Sequence, residues 1–559
     1  MTATEVPVDE VQRLAADIWA WRAEQQPAQG DDIPRLPRPP GWLPDFSPAA
    51  VERARGRRDE LLARWRGLDP TGWAVADQVD HRLLGSVLAR VTWELDVLES
   101  WRRDPLFHVH QALNPYFDLL LPQPPFDDRR ASDIVAALAN VPRAIDQATA
   151  ALDRPAGPLT AAARELLDGI GEQLAESVTA LAGELPEAHR GPLLAAIDPA
   201  TAALDQFRGF LAGLSGLPEV VSVGADAFVW FLRNVALMAE TPDELERSAR
   251  QEWERAVVWE AVAKHRAASV PEPPIPASAA EQVAAEAAAE EQVRTFYDDG
   301  GFLSQPASLR HYLTAEIPAY LAPLRFLGVP DDLTDEHRLD QDGVSYVLPP
   351  RPDLPYFYAA NARDTRAGIA HEGAHYQQLA LANAHDDPVR RRYYDSGPNE
   401  GIAFYNEEYL LQAGLFDDAP HTRSVIWNFA RLRALRVMAD VGLAVGTMTL
   451  DQAVDFFVRR VPMDRSTAFE ESCFYAGNPG LALSYQTGKL QLTSLVAAAV
   501  EADGADFSLR RIHDALWRNG NVPFALLRWE LLGDRSLLDA IDADPATGAP
   551  APPSTAAAG

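Results

Sequence analysis

The stretch Ile369-Ala-His371-Glu372-Gly-Ala-His375-Tyr-Gln-Gln-Leu379 decides the fold and the chemistry that we expect from this chain. His371, Glu372 and His375 form an H-E-x-x-H pattern. Positions i and i+4 lie on one face of an α-helix, so the two imidazoles can bind one metal ion. Glu372 lies beside the first histidine, where its carboxylate can act as general base on an attacking water. Since the other residues are mostly apolar, we expect a buried metal-binding helix rather than two surface histidines.

A catalytic zinc site takes three protein ligands, and the next acidic stretch offers the third. Residues 396–410 open with Ser-Gly-Pro-Asn, which is typical of a helix beginning. We expect Glu400 to be the third ligand of one zinc ion per chain. Glu407 follows two turns later on the same face and is expected to hydrogen-bond a ligand histidine. Glu408 is expected on the solvated face of this helix.

Blocks around these residues resemble the bacterial DUF885 family, whose members are classed as candidate zinc metallopeptidases of the gluzincin kind. Glu400-Gly-Ile-Ala-Phe-Tyr-Asn-Glu407 is similar to the family's E-G-W-A-x-Y-x-E block. Pro479-Gly-Leu-Ala-Leu-Ser-Tyr485-Gln-Thr-Gly488 is similar to its P-G-Q-A-L-S-Y-K-x-G block, and Pro355-Tyr-Phe-Tyr358 resembles the segment before its histidines. The resemblance covers roughly residues 10–540. It implies a mainly α, two-lobed helical shell around a deep cleft with a small β element, as in neurolysin-like and carboxypeptidase-like zincins.

The chain departs from the family pattern in ways that leave the metal ligands in place and affect the expected recognition of substrate. The family commonly reads H-E-x-x-P-G-H-H, and where it often has E-V-x-R-Y this chain has Glu471-Ser-Cys-Phe474-Tyr475. A phenylalanine cannot pair with a carboxylate as arginine does. We therefore expect Phe474 to form an apolar substrate-binding wall, with Tyr358 as a second substrate contact. For the same reason we do not expect a general peptidase for free C-terminal carboxylates; if free carboxylates are nevertheless preferred, Arg433 or Arg436 is the expected anchor.

These residues predict a zinc-dependent hydrolase that cleaves an amide or peptide bond in a small peptide or small amide-like metabolite. Glu372 is the expected base, and Tyr485 is expected to donate a hydrogen bond to the oxyanion, although a core tyrosine is the alternative. A specialised small-molecule tailoring enzyme on the same site, such as a deacylase, an amide hydrolase or a lyase, remains a second interpretation. A binding protein with an unused metal site is disfavoured because it would not need Glu372.

Composition limits the partners. The chain has 559 residues and a formal net charge of −31, which disfavours nucleic acid and anionic membrane surfaces. The chain cannot form an internal disulfide, because Cys473 is its only cysteine. Residues 1–10 hold no apolar segment and no stretch is long enough to span a membrane, so a cytoplasmic location is expected. The oligomeric state is left open.

Hydrophobic periodicity predicts helices along most of the chain. One continuous helix is expected at residues 74–103, and three helices at 131–213 with breaks near 153–157 and 187–191. A strand at 344–348 is expected to pair with residues 356–358 beside the metal helix. Residues 269–290 read as a loop leading into a solvated helix. The predicted organisation is an N-terminal helical lobe at 1–215, a catalytic metal-binding lobe at 216–542 and a disordered tail at 543–559.

Overall fold

The computed structural model describes residues 8–28, 37–354, 356–461 and 463–543. Its described part confirms a mainly helical protein, with 69% helix and one three-stranded sheet. The predicted two-lobed architecture and the boundary between residues 215 and 216 stay predictions. Of the predicted tail, residues 544–559 lie outside the described residues, and Ala543 is the last residue of the final helix.

The helices in chain order are α1 (Val8–Gln25), α2 (Pro48–Arg66), α3 (Val75–Thr92), α4 (Ser100–Arg103), α5 (Pro105–Asp118), α6 (Asp128–Ala151), α7 (Gly157–Leu166), α8 (Ile170–Ala182), α9 (Glu187–Ala195), α10 (Ile197–Gly213), α11 (Ala225–Asn234), α12 (Pro242–Ala267), α13 (Ala279–Asp299), α14 (Tyr356–Arg363), α15 (Arg366–Gly368), α16 (Ala374–Asn383), α17 (Pro388–Arg392), α18 (Ser396–Ala413), α19 (Pro420–Val445), α20 (Leu450–Arg460), α21 (Arg465–Gly477), α22 (Ser484–Asp503), α23 (Leu509–Arg518), α24 (Phe524–Leu532) and α25 (Ser536–Ala543). The strands are β1 (Tyr312–Glu316), β2 (Asp331–Asp332) and β3 (Gly343–Val347). Two π-helical turns (Trp93–Leu98 and Ile369–Gly373) and two 3₁₀ turns (Ala322–Leu327 and Gly504–Asp506) complete the elements.

The N-terminal half contains more breaks than the periodicity predicted. The single helix expected at 74–103 is wrong: α3 passes into a π-helical turn, and Glu99 then takes a left-handed φ of 49° before α4. The buried Glu99 carboxylate accepts hydrogen bonds from Arg102 and Arg154, which ties this corner to a later loop. The three helices expected at 131–213 are five, α6 to α10, and the break expected at 187–191 lies inside α9.

The strand predicted at 344–348 is confirmed as β3, but its predicted partner is wrong. β3 lies in the centre of the sheet, with β1 parallel on one side and β2 antiparallel on the other. Residues 356–358 instead begin α14. Both edges of β3 are already paired, so the segment has no ladder position to occupy. The alanines that follow it favour a helix.

Three large apolar cores hold the described elements together. One surrounds the motif helix, and includes Ile369, Tyr376 and Phe404 with residues of α1, α3 and α22 to α25. A second joins α5, α6, α8 and α10 to the sheet through Val344 and Tyr346. The third packs α11 against α19 to α21. The helical segment 369–383, which carries the H-E-x-x-H residues, thus lies where the first core meets α18 and α22, which carry Glu400 and Tyr485.

Glycines let α18 and α22 cross at backbone contact. A Cβ placed on Gly401 of α18 would lie 2.6 Å from the carbonyl carbon of Gly488 on α22. No side chain fits at such a distance, so both positions need glycine for this crossing. The crossing brings the N-terminal turn of α22, with Tyr485, toward the part of α18 that carries Glu400.

Candidate metal centre

The H-E-x-x-H residues span a change of helix type. His371 and Glu372 lie in the π-helical turn Ile369–Gly373, and His375 lies in the first turn of α16. The wider turn is supported from α18, where Asn406 Nδ2 donates a hydrogen bond of 2.7 Å to the carbonyl oxygen of Ala370. Single π turns inside helices are frequent at functional sites. The two imidazole rings remain neighbours, with centroids 4.9 Å apart and planes perpendicular.

The structure brings the three predicted ligands together. Glu400 Oε2 lies 3.5 Å from His371 Nε2 and 3.4 Å from His375 Nε2. The ligand atoms of all three residues lie within 4.8 Å of one another. Ligands about 2.0–2.2 Å from a tetrahedral zinc are separated by roughly 3.3–3.5 Å, so these spacings match the edges of such a site.

The Glu400 carboxylate has the surroundings of a cation ligand. The residue is 1% exposed, and neither carboxylate oxygen accepts a hydrogen bond from the residues that the structure describes. Burial raises the pKa of Glu400, but the neighbouring His375 and His371 lower it further, to well below its ordinary value. A buried carboxylate that stays ionised without hydrogen bonds needs a positive partner. Two imidazoles and one carboxylate therefore fit a catalytic zinc ion.

Glu407 and Arg433 form a buried pair behind His371. Glu407 Oε1 lies 2.7 Å from His371 Nδ1, on the side of the ring away from Glu400. Arg433 of α19 lies 2.8 Å from the same carboxylate oxygen. Arg433 Nη2 also lies 3.2 Å from His371 Nδ1, so the Glu407–Arg433 pair contacts this nitrogen and leaves Nε2 facing Glu400. The role of Arg433 was missed, because α19 lies beside α18 only in the folded protein.

A cavity of about 510 Å³ opens over this centre. His371, the half-buried Glu372 and all three remaining predicted site residues, Tyr358, Phe474 and Tyr485, line it. The Tyr485 ring stacks parallel to His371, with centroids 6.2 Å apart and an interplanar angle of 8°. A ligand in this cavity would meet the general-base candidate and the tyrosine at the same time.

A second arginine of α19 lies under Tyr485. The Arg436 guanidinium lies 4.9 Å from the Tyr485 ring centroid and donates hydrogen bonds of 3.0 and 3.1 Å to Glu471. Burial lowers the pKa of Arg436, but Glu471 and the tyrosines outweigh it and hold the pKa well above its ordinary value. Tyr475 donates a further hydrogen bond to Glu471. Arg436 is therefore charged, and Glu471 neutralises it.

Glu408 does not lie on a solvated face, so that prediction is wrong. Its half-buried carboxylate accepts hydrogen bonds of 2.6 Å from Arg255 and 2.8 Å from Lys489. Burial raises the pKa of Glu408, but Arg255 and Lys489 outweigh it and lower the pKa to about 2. The carboxylate is a structural link between α12, α18 and α22, which the sequence of α18 alone does not reveal.

Comparisons with known proteins identify relatives of the whole fold. The family model described as "Bacterial protein of unknown function (DUF885)" matches residues 30–531. A lipoprotein candidate of unknown function from Shewanella oneidensis has a TM-score of 0.67 at 16% identity, covering 94% of this chain and 98% of its own. A lipoprotein candidate from Colwellia psychrerythraea has a TM-score of 0.72 at 16% identity, covering 96% of this chain and 100% of its own. No curated protein matches the chain.

These relatives contradict the prediction of a cytoplasmic location. Lipoproteins are membrane-anchored or secreted, and both structures are described as candidates of that class. In the described ranges no helix is long and apolar enough to cross a membrane. Membrane attachment through a lipid requires no such helix, so the lack of a long apolar segment does not indicate a cytoplasmic location.

Proposed function

Since this chain belongs to the DUF885 family, a bacterial family of unknown function, we propose from its own site that it is a zinc-dependent hydrolase of an amide or peptide bond. The observation that carries the proposal is the buried cluster of His371, His375 and Glu400, with Glu372 beside it on the cavity wall. The two-lobed zincin architecture belongs to the same proposal.

Glu372 is the proposed general base. A zinc ion held by the three ligands would act as a Lewis acid on the substrate carbonyl and on the attacking water. Glu372 takes a proton from that water as it attacks, and returns it to the leaving amine nitrogen as the C–N bond breaks. Its place in the chain beside His371, together with its access to the cavity, supports this role.

Tyr485 is the proposed donor to the developing negative charge. Its ring lies against His371, and the residue lines the same cavity as His371 and Glu372. A hydroxyl positioned in advance stabilises the carbonyl oxygen as it gains charge. Glu407 and Arg433 contact His371 Nδ1 at 2.7 and 3.2 Å, and both support the ring that Tyr485 stacks on.

A specialised tailoring enzyme for a small metabolite is the second candidate. The cavity volume of about 510 Å³ lies in the range of small-molecule sites. One wall is apolar, because Phe357, Phe429 and Phe474 all line it. A deacylase or amide hydrolase would use the residues as above. A lyase would use Glu372 to take a proton from carbon instead.

The test of the proposal is Glu372→Gln, measured for zinc content and for hydrolysis of a panel of dipeptides and N-acyl amino acids. Because Glu372 is not a ligand, the variant should keep its zinc and lose about 10²–10⁴-fold in rate. Glu470→Gln is the matched control, since Glu470 lines the same cavity and hydrogen-bonds only Ser466 within the described part of the chain. Turnover by Glu372→Gln within about tenfold of wild type would remove Glu372 as base and favour a purely Lewis-acid mechanism.

A further inference from the structure

Three arginines line the cavity over the metal centre, and they differ in their partners. Arg433 is held by Glu407 at 2.8 Å, and Arg436 is held by Glu471 at 2.9 Å. Arg325, in the 3₁₀ turn Ala322–Leu327, is exposed and donates one hydrogen bond of 3.2 Å to the carbonyl oxygen of Ala322. Among the residues that the structure describes, no carboxylate lies within ion-pair distance of Arg325. It is therefore the cavity arginine whose charge is left for a ligand.

Tyr358 lines the same cavity as Arg325 and the proposed base Glu372, and its hydroxyl is a hydrogen-bond donor. Burial raises the pKa of Tyr358; the charge of Arg325 lowers it, and the charges of Glu372 and Asp331 raise it. A tyrosine whose pKa is raised above its ordinary value keeps its proton at neutral pH, so the Tyr358 hydroxyl can donate a hydrogen bond to a ligand in the cavity. In the described part of the chain this hydroxyl has no hydrogen-bond partner. A guanidinium and a phenol that both line one cavity can together bind a carboxylate.

Away from Arg325 and the metal centre, the charged residues that line the cavity disfavour an anion. Its acidic lining residues are Glu286, Glu372, Glu407, Glu470 and Glu471. Arg433 and Arg436 are already neutralised by two of these, so neither of the anchors expected from the sequence offers a free charge. At Phe474 the cavity instead favours an apolar group of the substrate, which gains by packing against the phenyl ring. A substrate that satisfies both features has an anionic end and an apolar end.

We propose that Arg325 and Tyr358 bind a carboxylate of the substrate, so that the enzyme acts on amides with a free carboxylate at one end and an apolar or aromatic group at the other. N-aroyl amino acids and short acylated peptides belong to this class. This inference rests on the proposed amide hydrolysis at the metal centre, because the metal centre and Glu372 define where the scissile bond lies.

The test is a binding measurement on zinc-loaded Glu372→Gln protein, in which the probes are not consumed. N-benzoylglycine, N-benzoylglycylglycine and N-benzoyltriglycine are each compared with their carboxamides by titration calorimetry. At the best spacing the acid should bind about ten- to a hundredfold more tightly than its amide, as expected for charge-assisted hydrogen bonds. Adding Arg325→Gln should abolish this preference, and Arg325→Lys should keep part of it, because lysine retains the charge without the planar fork.

Arg363→Gln is the matched control, since Arg363 is exposed on the same helix as Tyr358 and does not line the cavity. It should leave the preference unchanged, and circular dichroism checks the fold of each variant. Equal binding of acid and amide overturns the inference. A preference that persists in Arg325→Gln also overturns it, since the carboxylate is then held elsewhere, for example at the metal. If wild type hydrolyses the amides but binding of the acid does not depend on Arg325, only this inference fails. If binding of the acid depends on Arg325 but wild type hydrolyses none of the amides, only the hydrolase proposal fails.

Discussion

Replacing Glu407 tests how far the buried pair behind His371 controls the metal centre. Glu407 lies 2.7 Å from His371 Nδ1, and loss of such a supporting carboxylate costs about 10–100-fold in metal affinity. Glutamine keeps a neutral hydrogen-bond acceptor, so Glu407→Gln should lower the zinc affinity about tenfold, which is about 1.4 kcal/mol. Glu407→Ala should lower the zinc affinity about a hundredfold, which is about 2.7 kcal/mol. Zinc affinity is measured by competition with a chromophoric chelator.

The same change has a separate effect on stability. Arg433 is 6% exposed and would lose the carboxylate that neutralises it. A buried charge left without its partner costs about 3–5 kcal/mol, which should appear in the denaturant unfolding of metal-free Glu407→Gln. In the double variant Glu407→Gln/Arg433→Met that charge is gone, so stability should largely return while zinc affinity stays low.

Glu408→Gln is the matched control for the Glu407 variants. Glu408 is the next residue of α18 and is also held by basic side chains, but those are Arg255 and Lys489 rather than a ligand histidine. It should lose stability and keep its zinc affinity. The reasoning is refuted if Glu407→Gln binds zinc within about threefold of wild type, or if Glu408→Gln loses as much affinity as Glu407→Gln.

Three further predictions address the ligands, the cavity wall and the pH dependence. The purified protein should carry one zinc per chain, and elemental analysis should find it lost in both His375→Ala and Glu400→Ala; full zinc in both variants would contradict the ligand set. Phe474→Arg should lower the kcat/KM ratio of N-benzoyl over N-acetyl amides by several-fold, because an aromatic contact is worth about 0.5–1.5 kcal/mol; an unchanged ratio would exclude Phe474 as the apolar wall. Glu408 has a folded pKa of about 2 against an ordinary value of 4.5, so its contribution to stability, on the order of 3 kcal/mol, is present above pH 4.5 and lost as the pH falls toward 2. Urea unfolding across this window should be less pH-dependent in Glu408→Gln, and an identical pH profile would show that the carboxylate is not stabilising.

Much of the local structure was readable from the chain, because its causes lie within a few residues. Helix α12 begins at a signal within its own first turn, since Thr241 and Glu244 form a reciprocal capping box. Thr449 and Gln452 do the same for α20. The strand at β3 followed from its alternating residues. The predictions failed where the local structure depends on a residue distant in sequence. Glu99 breaks the predicted long helix and pairs with Arg154. Residues 356–358 could not pair with β3 because β1 and β2 already occupy both of its edges.

In the candidate site, too, the features with local causes could be predicted from the sequence, and those that depend on distant residues could not. The sequence by itself determined the residues that come together at the centre, because the i, i+4 spacing of His371 and His375 is a local property of a helix, and Glu400 is marked by its own block. Which basic side chain forms an ion pair with which carboxylate became visible only in the tertiary structure. Arg433 reaches Glu407 across 26 residues, and Glu408 is neutralised from two other helices. Arg325 differs from the two buried arginines of the cavity, Arg433 and Arg436, in having no carboxylate neighbour among the described residues. Ion pairing depends on distances of a few ångströms between elements far apart in the chain, and periodicity along one helix carries no information about those distances.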